Sequence, residues 1–358
     1  MSFKDLNEIH NLIENLKLHG EYDRRGVFEC IPYWSENFGD RDQYSGEVYC
    51  ADNLKLIKHL DNLNHIKTDN PNHIKTDNSN HIKIDNSNHI KTDTPNHIQH
   101  ADNSNHILNA DNFEQSRKFK MIYMDPPFYS GAKYFSRKPD GSKDLAYIDI
   151  WNNGICEYLE MLTERIFAAR KLLSDDGLIW IHLDYRAVHY VKIIMDEIFG
   201  IDNMVNEIVW GYRSGGASGR RFARKHDTIL LYSKTKEYKF NPQKEKSYNR
   251  GALPYNFKGV QEYEDEKGWY TLVNMRDIWE IPMVGRTSGE RTGYATQKPE
   301  ELIRRMVLAS TDVGDLCGDF FAGSGTLGAV CMGLERSFVL CDKNEDACRI
   351  MVDRLFKK

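Results

Sequence analysis

The stretch MIYMDPPFYS (121–130) places a carboxylate where a short apolar run ends. Residues 121–124 are typical of a buried strand, and the two prolines that follow Asp125 cannot continue a strand ladder. The chain therefore leaves the sheet at Asp125, with a rigid backbone and the ring of Phe128 beside the carboxylate. Ligands of open α/β sheets bind at the carboxyl ends of the strands. Taken alone, this segment fits a ligand site and a solvated strand exit equally well.

A second segment near the C-terminus has the features of a nucleotide-binding turn. Residues 316–321 are expected to form a strand, and Gly323 and Gly325 precede a helix that begins at Thr326. Glycines at such a turn let a ligand approach the backbone beside a helix N-terminus, which favours a carboxylate. A close-packed turn without any ligand would have the same sequence pattern.

An acidic residue follows the next expected strand. Residues 337–341 are mostly apolar and end at Asp342, a position that suits binding of ribose hydroxyls. The turn is not GxGxxG and lacks the lysine of a P-loop, so nicotinamide nucleotides and ATP fit poorly. The glycine turn and the acid together favour an adenosine-containing ligand.

The elements that would position these residues follow one another in an α/β order. Apolar runs predict strands, and apolar residues three or four positions apart predict helices. The expected strands are residues 47–50, 121–124, 178–184, 207–212, 226–234, 316–321 and 337–341. The expected helices are residues 53–60, 159–173, 187–199 and a segment from 326. This order predicts a mostly parallel twisted sheet with helices on both faces.

Two connections carry expectations of their own. Residues 131–143 are expected to be a polar loop, and Gly177 is expected to follow the second helix as its C′ residue. Residues 64–112 contain six near-octapeptide copies that each begin with Asn-His-Ile. Each copy has little apolar surface to bury, so the repeat is expected to be a loosely ordered spacer. A metal-binding histidine array and a short-period solenoid are the alternatives.

The composition is ordinary for a globular protein, with 358 residues, 40% hydrophobic and 28% charged. No apolar run approaches the roughly 18 residues of a membrane span, and the start of the chain suggests no secretion signal. The seven cysteines form no CxxC pair and are expected to be reduced thiols in the cytoplasm. The net charge of −5 argues against a general polycation, although a local basic face could still contact phosphates.

The motifs DPPF (125–128) and FAGSGT (321–326) together resemble the β-class amino-methyltransferases that modify DNA with S-adenosylmethionine. Their order is similar to that of adenine-specific enzymes of restriction–modification systems, including type III modification subunits. Further segments that resemble family motifs are ADNL (51–54), FARKHDTILLYSK (222–234), DIW (277–279) and TQKPEELIRRM (296–306). The resemblance implies a Rossmann-like methyltransferase fold with a target-recognition insertion.

The resemblance also divides the chain. The expected parts are an N-terminal extension (1–45), a first methyltransferase part (46–235), a candidate target-recognition region (236–293) and a cofactor-binding part (294–358). The family usually has proline where Phe320 stands, and phenylalanine adds bulk beside the cofactor. The repeat replaces a short connection of the family, which is tolerable because loop-closure cost rises only with the logarithm of length.

Methyl transfer to N6 of an adenine flipped out of double-stranded DNA is the implied reaction. Asp125 and the Pro126 carbonyl would accept the amine N–H bonds, and Pro127 would keep these acceptors rigid. Phe128 would stack on the flipped base. Residues expected to bind S-adenosylmethionine are Asp52, Lys298, Pro299, Asp319, Phe321, Gly323, Gly325, Thr326 and Asp342. No metal ion is expected.

Some of these residues have more specific expected roles. Asp342 would meet the ribose, and Lys298 with Pro299 would border the methionine end of the cofactor. Asp52 would contact the adenine ring or, alternatively, cap a helix.

A basic run without an acid (213–225) is the candidate contact for DNA phosphates, with a solvated loop as the alternative. Its cations are Arg213, Arg220, Arg221, Arg224 and Lys225. The resemblance further implies a homodimer and a cognate restriction endonuclease as partners. N4-cytosine methylation is the nearest alternative reaction, but that group mostly carries serine in place of Asp125. A DNA-binding relative that has lost catalysis is an alternative of another class.

Overall fold

The computed structural model describes residues 3–18, 34–38, 44–68, 118–137, 142–213, 218–251 and 253–356. The helices in these ranges are α1 (Phe3–Leu18), α2 (Asn53–Thr68), α3 (Ile155–Leu172), α4 (Val188–Phe199), α5 (Glu300–Ser310), α6 (Thr326–Gly333) and α7 (Glu345–Phe356). The strands up to residue 211 are β1 (Trp34–Phe38), β2 (Tyr44–Cys50), β3 (Phe119–Met124), β4 (Ala132–Arg137), β5 (Lys143–Asp149), β6 (Leu173–Leu183) and β7 (Met204–Gly211). The later strands are β8 (His226–Ser233), β9 (Lys244–Tyr248), β10 (Glu262–Asp265), β11 (Gly268–Asn274), β12 (Ile278–Glu280), β13 (Leu316–Asp319) and β14 (Ser337–Asp342).

Nine strands form the main sheet, in the order β1-β2-β14-β13-β3-β6-β8-β7-β12. Neighbours from β2 to β6 are parallel, and so are β7 and β12. The pairs β1–β2, β6–β8 and β7–β8 are antiparallel. The predicted mostly parallel sheet is therefore confirmed, with a reversal at β8.

Helices cover both faces of this sheet, as predicted. Along β6, Ile179 and Ile181 pack with α1, α2, α3 and α4, whereas Leu178 and Trp180 pack with α5, α6 and α7. Alternate residues of a strand point to opposite faces, so a strand between two helical layers has to be apolar throughout. This requirement explains why the apolar run of β6 is continuous in the sequence.

The parallel strands bring several acidic residues to one edge of the sheet. β3 lies between β13 and β6, and β14 lies beside β13. The carboxyl ends of these strands therefore place Asp125, Asp319 and Asp342 along the same edge, where open α/β sheets bind ligands. Residues almost 220 positions apart in the sequence become neighbours in this way.

Two local predictions were wrong. Residues 132–137 and 143–149, expected within or beside a polar loop, pair as the antiparallel hairpin β4–β5. Gly177 does not follow α3 as a C′ residue, because α3 ends at Leu172 and Gly177 lies within β6. A Cβ at Gly177 would lie 2.9 Å from the carbonyl oxygen of Phe119 on β3, so the glycine allows close packing of the two strands.

The candidate target-recognition region has two structural parts. β9, β10 and β11 form a separate three-stranded antiparallel sheet, in the order β10-β11-β9. β12 instead joins the edge of the main sheet beside β7. In the N-terminal extension, Ile9 and Ile13 of α1 belong to the core formed with α3 and α4.

The chain divides into two compact units, residues 62–116 and the remainder. Within 62–116, only residues 62–68, the last part of α2, are described. Apart from residues 64–68, which belong to α2, the repeat and the spacer, histidine-array and solenoid hypotheses for it lie outside the described residues. The six cysteines in the described ranges form no disulfide, and no described helix is long and apolar enough to cross a membrane.

Candidate active site

Asp125 is the first residue beyond β3 and borders a cavity of about 680 Å³. Its Oδ2 forms an ion pair with the Lys298 ammonium group, which reaches it from the segment before α5. Its buried Oδ1 accepts no hydrogen bond in the structure and lies 3.9 Å from Nδ1 of His182. An ionised carboxylate only accepts hydrogen bonds, so Oδ1 is an acceptor without a donor. Such an acceptor is suited to a donor on a substrate.

The segment after Asp125 is fixed by a second buried acid. Tyr129 has a φ of 55°, in the left-handed region that non-glycine residues rarely adopt. The backbone N–H and the hydroxyl of Ser130 both donate to Oδ2 of Asp149, each at 2.7 Å. Trp151 donates its indole N–H to the other oxygen at 2.9 Å. Asp149 thus holds the strained turn that follows the DPPF motif.

The glycine turn lies between β13 and α6 and contacts the acid at the end of β14. The backbone N–H of Gly323 donates to Oδ2 of Asp342 at 2.9 Å. Gly323 has a φ of 51°, and a Cβ there would lie 2.9 Å from the ring of Tyr294. Glycine is therefore required at position 323 by both backbone conformation and space. Burial raises the pKa of Asp342 above its usual range.

Asp319 is the most deeply buried acid of the site. It is 3% exposed, and Oδ1 accepts a hydrogen bond from the backbone N–H of Phe321 at 3.0 Å. Burial raises the pKa of Asp319 well above its usual range, and the nearby charges of Asp125 and Asp342 act in the same direction. The side chain of Phe320 is fully buried and packs edge-on against Phe119 at 5.8 Å between ring centroids. The bulk that phenylalanine adds at position 320 is thus accommodated by the core.

Hydrogen bonds connect the glycine turn to Lys298. The Thr326 hydroxyl at the start of α6 donates to the Lys298 carbonyl at 3.1 Å. Arg354 of α7 donates to the Ser324 carbonyl at 3.1 Å and to the Thr326 hydroxyl at 3.0 Å. It also pairs with Glu300 of α5 at 2.8 Å. The backbone of Lys298 is therefore fixed to the turn, while its ammonium group contacts Asp125.

Asp52 caps α2. Its Oδ1 accepts hydrogen bonds from the backbone N–H groups of Leu54 and Lys55 at 3.1 and 3.3 Å. Its Oδ2 lies 3.3 Å from the guanidinium of Arg165. The capping alternative for Asp52 is thus what the structure shows, and the residue also borders the cavity.

Most of the predicted site residues surround this one cavity. Those that line it are Asp52, Asp125, Pro126, Pro127, Phe128, Lys298, Asp319, Phe321, Gly323, Thr326 and Asp342. Gly325 and Pro299 do not line it. Gly325 is the left-handed residue before α6, with a φ of 71°, and Pro299 is the N-cap residue of α5. Both hold the backbone of segments that contribute cavity residues.

A buried polar network lies beneath the DPPF motif. His182 of β6 is fully buried, with Nδ1 2.8 Å from the Tyr123 hydroxyl and Nε2 3.2 Å from Oδ2 of Asp227. The Tyr212 hydroxyl donates to Oδ1 of Asp227 at 3.0 Å. Burial alone would raise the pKa of Asp227, but the interactions with His182, Lys298 and Tyr212 together lower it below its usual value. The His182 ring also lies 5.6 Å from that of Phe128.

The described cations of the basic run lie apart from the cavity lining. Arg213, Arg220, Arg221 and Arg224 are exposed, and Lys225 is half-buried. Arg224 hydrogen-bonds the Tyr185 hydroxyl and lies over that ring, with its guanidinium carbon 3.7 Å from the centroid. The Lys225 carbonyl accepts a hydrogen bond from the Tyr212 N–H at 2.8 Å. These contacts hold the end of the run beside the ends of β6 and β7.

Comparison with known proteins identifies the family. Residues 119–353 match the DNA methylase family. The chain belongs to this family. It is 31% identical over 245 residues to the type II methyltransferase M.HpaI of Haemophilus parainfluenzae, across 68% of this chain and 70% of that protein. It is 27% identical over 242 residues to the DNA adenine methyltransferase YhdJ of Escherichia coli (strain K12), across 66% and 75%.

A solved structure also matches, the crystal structure of the M1.HpyAVI–SAM complex. The match has a TM-score of 0.43 and 21% identity and covers 69% of this chain and 93% of that chain.

Several residues of this DNA methylase site were not predicted from the sequence. Asp149, His182, Asp227 and Tyr294 are buried at or below the cavity, and Arg354 supports the glycine turn. A usable signal existed for His182, which is the only polar side chain in the apolar run 178–183. A polar residue inside a doubly buried strand needs a buried partner, and partners cannot be chosen without the fold.

Proposed function

We propose that this protein transfers a methyl group from S-adenosylmethionine to N6 of an adenine in double-stranded DNA. The observation that carries the proposal is the Asp125 carboxylate at the cavity, with Oδ1 buried and accepting no hydrogen bond. Membership of the DNA methylase family supports the reaction class. The relative YhdJ, named a DNA adenine methyltransferase, supports the choice of base.

The acceptors of this site suit an exocyclic amine. The lone pair of the adenine N6 amine is delocalised into the ring, so the amine is a poor nucleophile. Asp125 and the Pro126 carbonyl would accept its two N–H bonds and aim the lone pair toward the donor methyl group. This contribution is positioning and electrostatic stabilisation, without a covalent enzyme intermediate.

Phe128 would contact the base itself. Its ring borders the cavity beside Asp125, with the Lys298 ammonium nitrogen 5.1 Å from its centroid. An adenine inside a duplex is out of reach of these residues, so the base has to be flipped out first. The flipped ring would then stack on Phe128 while its amine meets Asp125.

The glycine turn fits the proposed cofactor. S-adenosylmethionine supplies an electrophilic methyl group on a sulfonium centre. Gly323 and Asp342 both line the cavity, and the Gly323 N–H fixes the Asp342 carboxylate beside it. Asp342 would meet the ribose hydroxyls, and Asp319 and Phe321 would border the remainder of the cofactor. The ion pair with Asp125 supports a position of Lys298 at the junction between cofactor and base.

We base the proposed partners and cellular location on the family resemblance. Double-stranded DNA is the substrate, read by residues 236–293 and held through phosphates by the basic run. A homodimer and a cognate restriction endonuclease are the protein partners, and the cytoplasm is the compartment.

Methyl transfer to DNA tests the proposal directly. The full chain is incubated with labelled S-adenosylmethionine and unmethylated genomic DNA, and the nucleosides are then separated. N6-methyladenine is the expected product, and sequencing of the modified sites gives the target. N4-methylcytosine would keep the reaction class and overturn the choice of adenine. Absence of label in DNA together with absence of cofactor binding would favour a DNA-binding relative without catalysis.

Asp125→Ala provides the matching test of mechanism. We expect loss of methyl transfer by a factor of about 10²–10³, as for other removed transition-state contacts. Cofactor affinity, measured by calorimetry, should change little. Asp312→Ala is the matched control, because it removes an exposed aspartate that also pairs with a lysine, Lys239 at 2.7 Å. Turnover by Asp125→Ala equal to that of the control would contradict the mechanism.

A further inference from the structure

Phe222 is exposed to an unusual degree for a phenylalanine. Its side chain is 98% exposed, and the next most exposed phenylalanine among the described residues is Phe257 at 61%. Singly exposed apolar residues are common, so exposure alone indicates no function. At 98% exposure, however, the Phe222 side chain takes no part in the core and is accessible to a ligand.

The surroundings of Phe222 are those of a nucleic-acid contact. Residues 218–225, here named the basic loop, contain four cations and no acid. Arg220 and Arg221 precede Phe222, and Arg224 follows it, held over the Tyr185 ring. Cations beside an exposed apolar side chain match proteins that contact phosphates and insert an apolar wedge between base steps.

The basic loop also lies at the correct edge of the sheet. The basic loop leads into β8. The first residue of β8, His226, pairs with Gly211 at the end of β7, and Thr228 pairs with Leu183 at the end of β6. The carboxyl end of β3, which carries Asp125, is at the same edge, two strand spacings or about 10 Å across the sheet. Tyr212 connects the basic loop to the buried network beneath the DPPF motif. Its N–H donates to the Lys225 carbonyl, and its hydroxyl donates to Asp227, which contacts His182.

We propose that Phe222 enters the DNA stack at the target position and fills the space that the flipped base leaves. This inference rests on the proposed function. Removing a base from the duplex costs its stacking and pairing, and an inserted ring replaces part of the stacking. The flanking arginines would hold the phosphates on either side of the insertion. Asp125 and Phe128 would receive the base, while Phe222 would prevent its return.

The test compares two duplexes that carry the target sequence found with genomic DNA. In the first duplex the target adenine is opposite thymine, and in the second it is opposite an abasic site. The variants are Phe222→Ala, Phe222→Leu and the control Ile201→Ala, which removes another exposed apolar side chain at the opposite end of β7. Single-turnover methylation rates are measured for each variant on each duplex.

Phe222→Ala should slow methylation of the paired duplex by a factor of about 10–100, because flipping loses its inserted ring. On the abasic duplex the rate should stay within about twofold, since an unpaired base needs little help to leave the stack. Phe222→Leu should recover much of the lost rate, and Ile201→Ala should match the unaltered protein. With 2-aminopurine at the target position, Phe222→Ala should show a smaller fluorescence increase on binding.

Three results would overturn the inference. A rate for Phe222→Ala equal to that of Ile201→Ala on the paired duplex would remove any role in flipping. An equal loss on both duplexes with a changed oligomeric state would assign Phe222 to a subunit contact. Absence of methylation by the unaltered protein would reject the proposed function, and the inference would fall with it. The unaltered protein thus separates failure of the function from failure of the inference.

Discussion

At the scale of single residues, the ion pair between Lys298 and Asp125 joins the two halves of the site. One partner follows the strand that carries the DPPF motif, and the other precedes α5 and is fixed through Thr326 to the glycine turn. A displacement of the glycine turn would therefore also move the Asp125 carboxylate, which would hold the substrate amine. Both side chains are mostly buried, at 11% and 15% exposure, so removing one partner would leave an uncompensated buried charge.

Lys298→Gln tests this connection. We expect kcat to fall by a factor of about 10 or more, because the carboxylate loses a charge-assisted hydrogen bond. Cofactor affinity should fall less than kcat. Lys239→Gln is the control, since it breaks an exposed lysine–aspartate pair, with Asp312, in which neither residue lines the cavity. Should cofactor affinity instead fall as much as kcat, Lys298 would serve the methionine end of the cofactor, as the family resemblance implies.

Asp319 should make stability depend on pH. Burial raises its pKa in the folded chain well above the value of about 3.9 expected when unfolded. Its favourable contribution is complete below about pH 4 and is lost as the pH rises through the folded-state pKa. Asp319→Asn should therefore be more stable than the unaltered protein at about pH 8, and the difference should shrink toward about pH 5.

Urea unfolding at both pH values measures this difference. Asp312→Asn is the control of opposite sign, because the hydrogen bond and charge of Lys239 lower the pKa of Asp312. That variant should lose stability relative to the unaltered protein once the pH exceeds about 4. A pH-independent loss of stability in Asp319→Asn would show that the carboxylate is needed for packing. Methyl transfer by Asp319→Asn should be reduced, since the Asp319 carboxyl group borders the proposed cofactor position.

At the scale of elements, the glycine turn between β13 and α6 is the most constrained connection. Gly323→Ala should destabilise the fold by at least about 1 kcal/mol, because alanine is unfavourable at a left-handed φ. The added Cβ would also push against Tyr294 and move the turn away from Asp342. Cofactor affinity should therefore fall together with stability.

Urea unfolding and cofactor titration measure the two effects on Gly323→Ala. Gly285→Ala is the matched control, since a Cβ there meets nothing within 4 Å and its φ is not positive. If both variants kept full stability and affinity, the turn would have room to adjust, and its close approach to Tyr294 would not matter.

Elements were predictable from the sequence where burial imposes a pattern. The doubly buried strand β6 and the amphipathic helix α4, closed by Gly200 with a φ of 92°, follow directly from apolar spacing. The hairpin β4–β5 was missed because its side chains are partly exposed, including Phe135 and Leu145, so no continuous apolar run marks it. A weaker signal of the hairpin was present, because apolar and polar residues partly alternate on both sides of the turn sequence PDG (139–141).

Site residues could be predicted where they belong to a local sequence motif. The side-chain pairs that these residues form could not be predicted. DPPF and the glycine turn are local patterns, and both line the cavity. The pair Lys298–Asp125 joins residues 173 positions apart, and the pair His182–Asp227 joins residues 45 apart. Sheet order brings these partners together, and one sequence does not specify it. For Asp52 the sequence offered a cap and a cofactor contact, and only the fold shows the cap.

At the scale of the whole molecule, the distribution of charge matters more than its sum. The net charge of −5 would repel DNA if it were evenly spread. The basic loop concentrates four cations at the edge of the sheet that carries Asp125. A strongly salt-dependent association of this edge with the duplex is therefore compatible with an acidic protein.

The salt dependence of the DNA-binding constant should report how many phosphates the basic loop contacts. Log Kd should rise with log salt concentration, and each phosphate contact should contribute about 0.9 to the slope. Arg220→Ala and Arg221→Ala should each lower the slope by about 1, because both side chains are exposed beside Phe222. Phe222→Ala should leave the slope unchanged, since it removes no charge.

Fluorescence anisotropy of a labelled duplex over about 50–200 mM salt gives the slopes. Arg349→Ala is the control, because this exposed arginine lies on α7 and pairs with Glu345 and Asp346. An unchanged slope in both loop variants would place the phosphate contacts elsewhere. The basic loop would then hold Phe222 by the stacking of Arg224 on Tyr185 alone, and insertion of the ring would have to proceed without phosphate anchors on either side.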